Sequence, residues 1–122
     1  MRTVSFLLPA IAIAAGTPAV AADQHPASLV GVYDGGQIEI ASGLELTKDG
    51  KFRYALSYGA LDEAAAGTWS AAGNTVTLNI LQYESNDPGS DGKFGASVLT
   101  MEDGELILPR HDRVLRFRKQ GK

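Results

Sequence analysis

The sequence predicts an all-β protein, a small antiparallel up-and-down barrel of about eight strands, with a two-sheet sandwich as the alternative. Three observations carry this. Apolar residues alternate with polar ones over most of the chain after residue 28, the period of a half-buried strand. Turn signals (Asp49-Gly50, Gly73-Asn74, Asp103-Gly104, His111-Asp112) separate the alternating runs at roughly the 8–12-residue spacing of sandwiches and barrels. Helical periodicity is absent, apart from Leu61–Ala66, whose composition allows one helical turn between Gly59 and Gly67. Closing so short a meander into a barrel removes its exposed edges.

The first 22 residues stand apart from the fold. Met1-Arg2-Thr3 is a short basic start, Val4–Ala15 is apolar but for Ser5 and Pro9, and small residues follow through Ala19-Val20-Ala21-Ala22. This is the plan of a secretory signal peptide cleaved after Ala21 or Ala22. The run is shorter than the ~20 apolar residues that span a bilayer. A periplasmic or secreted location is therefore expected, with no transmembrane segment. Residues 23–28, polar with Pro26, read as a flexible leader. Residues 29–119 read as a single barrel domain.

The chain has no cysteine, so disulfides contribute nothing and stability rests on burial and hydrogen bonding. Charge is uneven. From Asp23 to Glu105 there are 13 acids but only Lys48, Lys51, Arg53 and Lys93 as bases; from Arg110 onward there are six bases and one acid, Asp112. A basic tail of this kind suits a polyanion or membrane surface. The reading preferred is a last strand whose arginines face outward between core residues, and no nucleic-acid partner is expected.

Leu29–Tyr33 is the first strand, ended by Asp34-Gly35-Gly36. Ile38, Ile40, Leu44 and Leu46 share one parity in the next, which is expected to kink near Ser42-Gly43. The hairpin that follows can be registered by arithmetic. Phe52, Tyr54, Leu56 and Tyr58 form the apolar face of the returning strand. Opposed residues lie on one face, so Leu46 must oppose Phe52 and Leu44 must oppose Tyr54. That requires a three-residue turn, Lys48-Asp49-Gly50, with Gly50 left-handed. The register also sets Glu45 against Arg53 outside. By the same logic a Gly73-Asn74 turn pairs Ala71 with Val76 and Trp69 with Leu78. Asp103-Gly104 pairs Met101 with Leu106, at the cost of Glu102 facing Glu105. A turn at His111-Asp112 sets Leu108 by Leu115 and Leu106 by Phe117.

The run Gly31-Val32-Tyr33, then Leu44–Tyr58, then Gly67-Thr68-Trp69 through Leu78, resembles the small lipocalin-like domains of bacterial exported proteins. It is also similar to the N-terminal barrel of outer-membrane copper-stress lipoproteins of the NlpE type. The likeness covers about half the mature chain and speaks to fold more than to function. The Cys-x-x-Cys and the lipidation cysteine of that lipoprotein group are missing, so copper binding and envelope anchoring do not carry over.

No catalytic or metal motif stands out. His25 lies in the leader and His111 in a turn, far apart in the chain, so neither a transition-metal site nor a serine–histidine–acid triad is indicated. Asn86, Asp87 and Asp91 offer oxygens, but the spacing lacks an EF-hand's order and closing glutamate. No cofactor or metal is expected. Phe52, Tyr54, Tyr58 and Trp69 are the candidate ligand-binding residues: in a wide barrel they line a cavity, in a tight one they fill the core. The function read from the sequence is an exported, non-catalytic, monomeric barrel that binds a small hydrophobic ligand or an envelope component. The alternative is a protein inhibitor or interaction module acting through exposed loops 59–66 and 84–93. An enzyme is not expected, for want of a catalytic constellation.

Overall fold

A computed structural model describes residues 24–90, 92–95 and 97–121; the signal-peptide reading, on residues 1–22, lies outside the described residues. Eight strands run in sequence: β1 (Gly31–Asp34), β2 (Ile40–Leu46), β3 (Lys51–Tyr58), β4 (Leu61–Ala72), β5 (Thr75–Ser85), β6 (Val98–Glu102), β7 (Glu105–Arg110) and β8 (Arg113–Lys119). Each pairs antiparallel with the next, and β1 pairs with β8 through Tyr33↔Lys119 and Asp34↔Arg118. The sheet is thus a closed up-and-down barrel, with no sandwich edge left unpaired.

The hairpin arithmetic holds. Leu46↔Phe52, Leu44↔Tyr54 and Glu45↔Arg53 are paired as predicted, and Gly50 has φ +85°. Arg53 Nη2 reaches Glu45 Oε1 at 2.7 Å on the outer surface. Trp69↔Leu78 and Ala71↔Val76 pair in β4–β5, Met101↔Leu106 in β6–β7, and Leu108↔Leu115 and Leu106↔Phe117 in β7–β8. Glu102 does oppose Glu105. Arg116 on β8 contacts both, at 3.6 and 3.0 Å, and offsets the repulsion.

Four expectations are corrected. Leu29 belongs to a 3₁₀ turn, Ala27–Leu29, and the first strand starts only at Gly31. Ile38 does not join the core parity of Ile40. It is 83% exposed, because residues 37–40 form a tight turn closed by reciprocal Gln37–Ile40 backbone bonds with Glu39 at φ +70°. Leu61–Ala66 makes no helical turn and is no exposed loop: it is the first half of the 12-residue β4, paired with β3 along its length. Only Gly59 and Ala60 lie between those strands, so loop 59–66 does not exist as a binding element. Finally, the arginines of the basic end do not all face outward. Arg110 and Arg113 oppose each other on β7 and β8, in step with the inward residues Leu108 and Leu115.

One irregularity repositions the interior. Between Ala66↔Gln82 and Gly67↔Ile80 the register slips by one residue, leaving Leu81 as an extra, exposed residue of β5. Such a bulge switches side-chain parity. Val76, Leu78 and Ile80 face inward before it and Tyr83 after it. Gly67 makes the bulge possible, since a Cβ there would sit 2.0 Å from the Asn79 carbonyl oxygen.

An up-and-down barrel has two ends, and here they differ. The lower end holds the Lys48–Gly50, Gly73–Asn74 and Asp103–Gly104 turns, together with residues 24–30. Gln24 and His25, from the segment read as a flexible leader, make contacts there. His25 Nε2 donates to the Trp69 carbonyl at 2.8 Å, its ring meets the indole edge-on at 5.0 Å, and Ala71 N donates to the Gln24 carbonyl. The upper end holds the turn at 35–39, Gly59–Ala60, Asn86 and Phe94 from between β5 and β6, and His111–Asp112.

Gly50 is positioned by both its backbone and its neighbours, since a Cβ would also meet the His25 ring at 2.7 Å. Gly50→Val is therefore expected to destabilise the fold by about 1–3 kcal/mol or more, read as a lowered urea midpoint. An unchanged midpoint would contradict the register described for this hairpin.

Candidate functional site at the upper end of the barrel

Parity decides which side chains reach the upper end. Counting back from Trp69 along β4 in steps of two gives Ala65 and Glu63, both buried. Counting forward from Leu108 on β7 gives Arg110. The β5 bulge turns Tyr83 inward beside Ala65, its cross-strand partner. Tyr54 comes from β3, opposite Ala65 on the other side. Four strands thus converge on the Glu63 carboxylate, which is only 4% exposed.

That carboxylate is fully engaged. Oε2 accepts from Tyr54 Oη at 2.6 Å and Arg110 Nε at 2.8 Å. Oε1 accepts from Tyr83 Oη at 2.8 Å, Arg110 Nη2 at 2.8 Å and His111 Nε2 at 3.0 Å. The arginine is bidentate, the strongest ordinary form of this pairing. His111 must carry its proton on Nε2, since an ionised carboxylate only accepts. Burial by itself pushes the Glu63 pKa up, but the bonds from Arg110, Tyr54, Tyr83 and His111 outweigh it and hold the group at about 2. Burial, then the bond to Glu63, raises the Tyr54 hydroxyl well above its ordinary value, and Tyr83 moves the same way.

Arg110 also reaches upward. Its Nη1 donates to the Phe94 carbonyl, and its guanidinium lies 4.0 Å from the centroid of the Phe94 ring. Phe94 belongs to no strand, yet it is buried. Its ring meets Tyr54 edge-on at 5.1 Å and Tyr83 at 5.6 Å. Nearby, Arg113 donates to Tyr58 Oη at 3.2 Å and Gln37 Oε1 at 3.3 Å, and its guanidinium lies 5.2 Å from the centroid of the Tyr58 ring. Ser42, of inward parity on β2, has its Oγ buried with no hydrogen-bond partner.

The four candidate ligand-binding residues are therefore not one site. Tyr54 and Tyr58 stand at the upper end. Trp69 is at the lower end, donating from Nε1 to the Thr47 carbonyl at 2.9 Å, and Phe52 packs between them in the core cluster. Phe52, Tyr54 and Trp69 are each at most 3% exposed, and their contacts are those of core-filling side chains. His111 is no bare turn residue, since it touches Glu63. Sequence reasoning missed Glu63, Arg110 and Tyr83. Two of them were within its reach, because the same two-residue step that orders the core runs on through both.

After β5, Asn86 and Asp87 use their side chains locally. Asn86 caps the adjoining turn through Asp62 N and the Ala60 carbonyl, at 2.8 and 2.9 Å, and Asp87 accepts from Gly89 N. Among the described residues no group of three or more His, Cys, Asp or Glu is placed to hold a metal ion. A concavity of about 650 Å³ lies against the outer face of β2–β5, where Gly43, Ala55, Ala64 and Ala66 leave little side-chain bulk. Its polar rim is the Glu45–Arg53 pair and the exposed Gln82 and Glu84, so no buried polar group converges on it. Set against protein-family models, curated proteins and solved structures, the chain has no significant match in any of the three.

Two outcomes follow from the Glu63 cluster. Because folding lowers this carboxyl from 4.5 to about 2, its contribution is complete above pH 4.5 and is lost as pH falls toward 2. Unfolding free energy should drop by on the order of 3 kcal/mol across that window, and Glu63→Gln should flatten the drop. Glu63→Leu leaves the buried Arg110 without its carboxylate and should cost about 3–5 kcal/mol. Adding Arg110→Met to it should restore part of the loss in a chemical-denaturation cycle.

Proposed function

We propose that this chain is an exported, non-catalytic barrel that binds a small hydrophobic molecule or envelope component at its upper end. The observation that carries this reading is Phe94. The upper end is filled not by a residue of the barrel wall but by a ring from the segment between β5 and β6, lying between Tyr54 and Tyr83. Mouths of β-barrels are a common place for small-molecule sites, which combine an apolar lining with a few fixed polar groups. Here those groups are Arg110, His111, the tyrosine hydroxyls and the unpartnered Ser42 Oγ.

The same geometry argues against proton-transfer chemistry. A general base works best with a pKa near the working pH. Glu63, the carboxylate beside His111, is held at about 2 with both oxygens occupied. It is a weak base and a strong structural acceptor.

Trp69 lies at the far end and is a poor reporter of binding above. The informative measurement is an NMR titration of the mature chain with a panel of small apolar compounds. Saturable shifts at Tyr54, Tyr58, Tyr83 and Phe94, with Trp69 unmoved, are expected. A panel that moves none of the upper-end rings would overturn the reading.

A further inference from the structure

The two cleavage points that the sequence allows leave chemically different proteins. A cut after Ala22 has the small residues Val20 and Ala22 at the third and first positions before it, which fits the A-x-A-like pattern. The mature chain then begins Asp23-Gln24-His25-Pro26. A free α-amine two residues before a histidine sets four nitrogens in succession along the chain. They are the amine, the peptide nitrogens of Gln24 and His25, and the imidazole Nδ1, which together close fused five- and six-membered chelate rings around one cation. A square-planar set of nitrogens suits Cu(II) or Ni(II), and Cu(II) heads the affinity order of the divalent ions. Pro26 has no N–H to compete as a further donor. The set needs no cysteine and is independent of the Cys-x-x-Cys that the chain lacks.

The barrel wall supports this donor set at two points. His25 is half-buried, and its Nε2 lies 2.8 Å from the Trp69 carbonyl oxygen. A carbonyl only accepts, so Nε2 carries the proton and the neutral ring keeps its lone pair on Nδ1, the nitrogen the chelate uses. Histidine ligands commonly donate their other ring N–H to a backbone carbonyl, which fixes tautomer and orientation. The second contact is from Ala71 N to the Gln24 carbonyl at 2.9 Å. That oxygen shares a peptide group with the His25 nitrogen and takes part of the charge when the nitrogen loses its proton. The Ala71 N–H therefore favours the metal-bound form. Both Trp69 and Ala71 belong to β4, so a single strand orients the site.

We infer that removal of the signal peptide creates a copper(II) site at the mature N-terminus, held against the lower end of the barrel by β4. This goes beyond the upper-end ligand and shares only the expectation of export with it. Binding sends the two peptide protons and the ammonium proton to solvent.

The test compares three forms that leave every described residue unchanged: the chain from Asp23, the chain from Ala22, and the chain from Asp23 with its amine acetylated. The His25 ring lies 5.0 Å from the indole of Trp69, the only tryptophan, so bound Cu(II) should quench its fluorescence. One equivalent of Cu(II) is expected to quench the chain from Asp23, with proton release and an electron paramagnetic resonance spectrum of four nitrogens. In the other two forms the affinity should fall by about a hundredfold or more, because the amine is displaced or blocked. Equal affinity in all three would overturn the site. The peptide Asp-Gln-His-Pro-amide should bind about tenfold more weakly than the folded chain. Equal or tighter binding by the peptide would overturn the part given to Trp69 and Ala71. Finally, the precursor is exported from a bacterial host and its mature start is read by intact mass. A start at Asp23 is expected; a start at Ala22, or retention of residues 1–22, would overturn the site in the native protein.

Discussion

The arrangement of the upper end depends on one buried carboxylate. Taking an ion out of water costs several kcal/mol even after relaxation, and Glu63 is tolerated only because five hydrogen bonds reach its two oxygens. Those donors come from β3, β5, β7 and the turn after β7, between 9 and 48 residues away in sequence. A chain without cysteines thus gains a polar cross-link between non-adjacent walls of its barrel. The cross-link acts in one direction as well. By fixing Arg110 in a bidentate pose, Glu63 leaves one arm of the guanidinium aimed at Phe94, so the position of the ring at the mouth is a consequence of the ion pair beneath it.

The two ends solve the same problem with different chemistry. At the lower end, His25 packs against Trp69, and the polar atoms involved are backbone carbonyls and ring nitrogens. Tyr33 adds to this by donating to the Leu29 carbonyl at 2.7 Å. Among the described residues nothing charged is buried there. At the upper end Arg110, Glu63 and His111 meet beside the Phe94 ring. Charged groups that are buried and mutually satisfied give a site fixed direction, because each donor is held by another. That contrast is why the functional reading belongs to the upper end rather than to the only tryptophan.

Much of the barrel was legible because its determinants are local. Gly50, Gly73-Asn74 and Asp103-Gly104 specify their turns, and parity then specifies each pairing, down to Glu45 against Arg53. The failures also have physical causes. Leu61–Ala66 has a helix-forming composition, and only pairing with β3 on one side and β5 on the other makes it a strand. Reading it as a helical turn or loop hid Glu63, whose inward parity follows from Trp69. Arg110 was hidden by the assumption that a charged residue faces out, which a paired charge need not obey. Tyr83 was the hardest to place, since its direction depends on the bulge at Leu81. That bulge needs a close backbone approach at Gly67 that no spacing rule reveals. Ile38 erred the other way, as an apolar residue at the tip of a turn.

The most direct test of the account is the titration of Glu63 itself. Carbon-13 NMR of the side-chain carboxyl, followed from pH 7 downward in the folded protein, should show Glu63 ionised through pH 4.5, with its midpoint at about 2. A midpoint near the ordinary glutamate value of about 4.3 would mean that Arg110, the tyrosines and His111 do not hold this carboxylate. The arrangement of the barrel mouth described here would then be wrong.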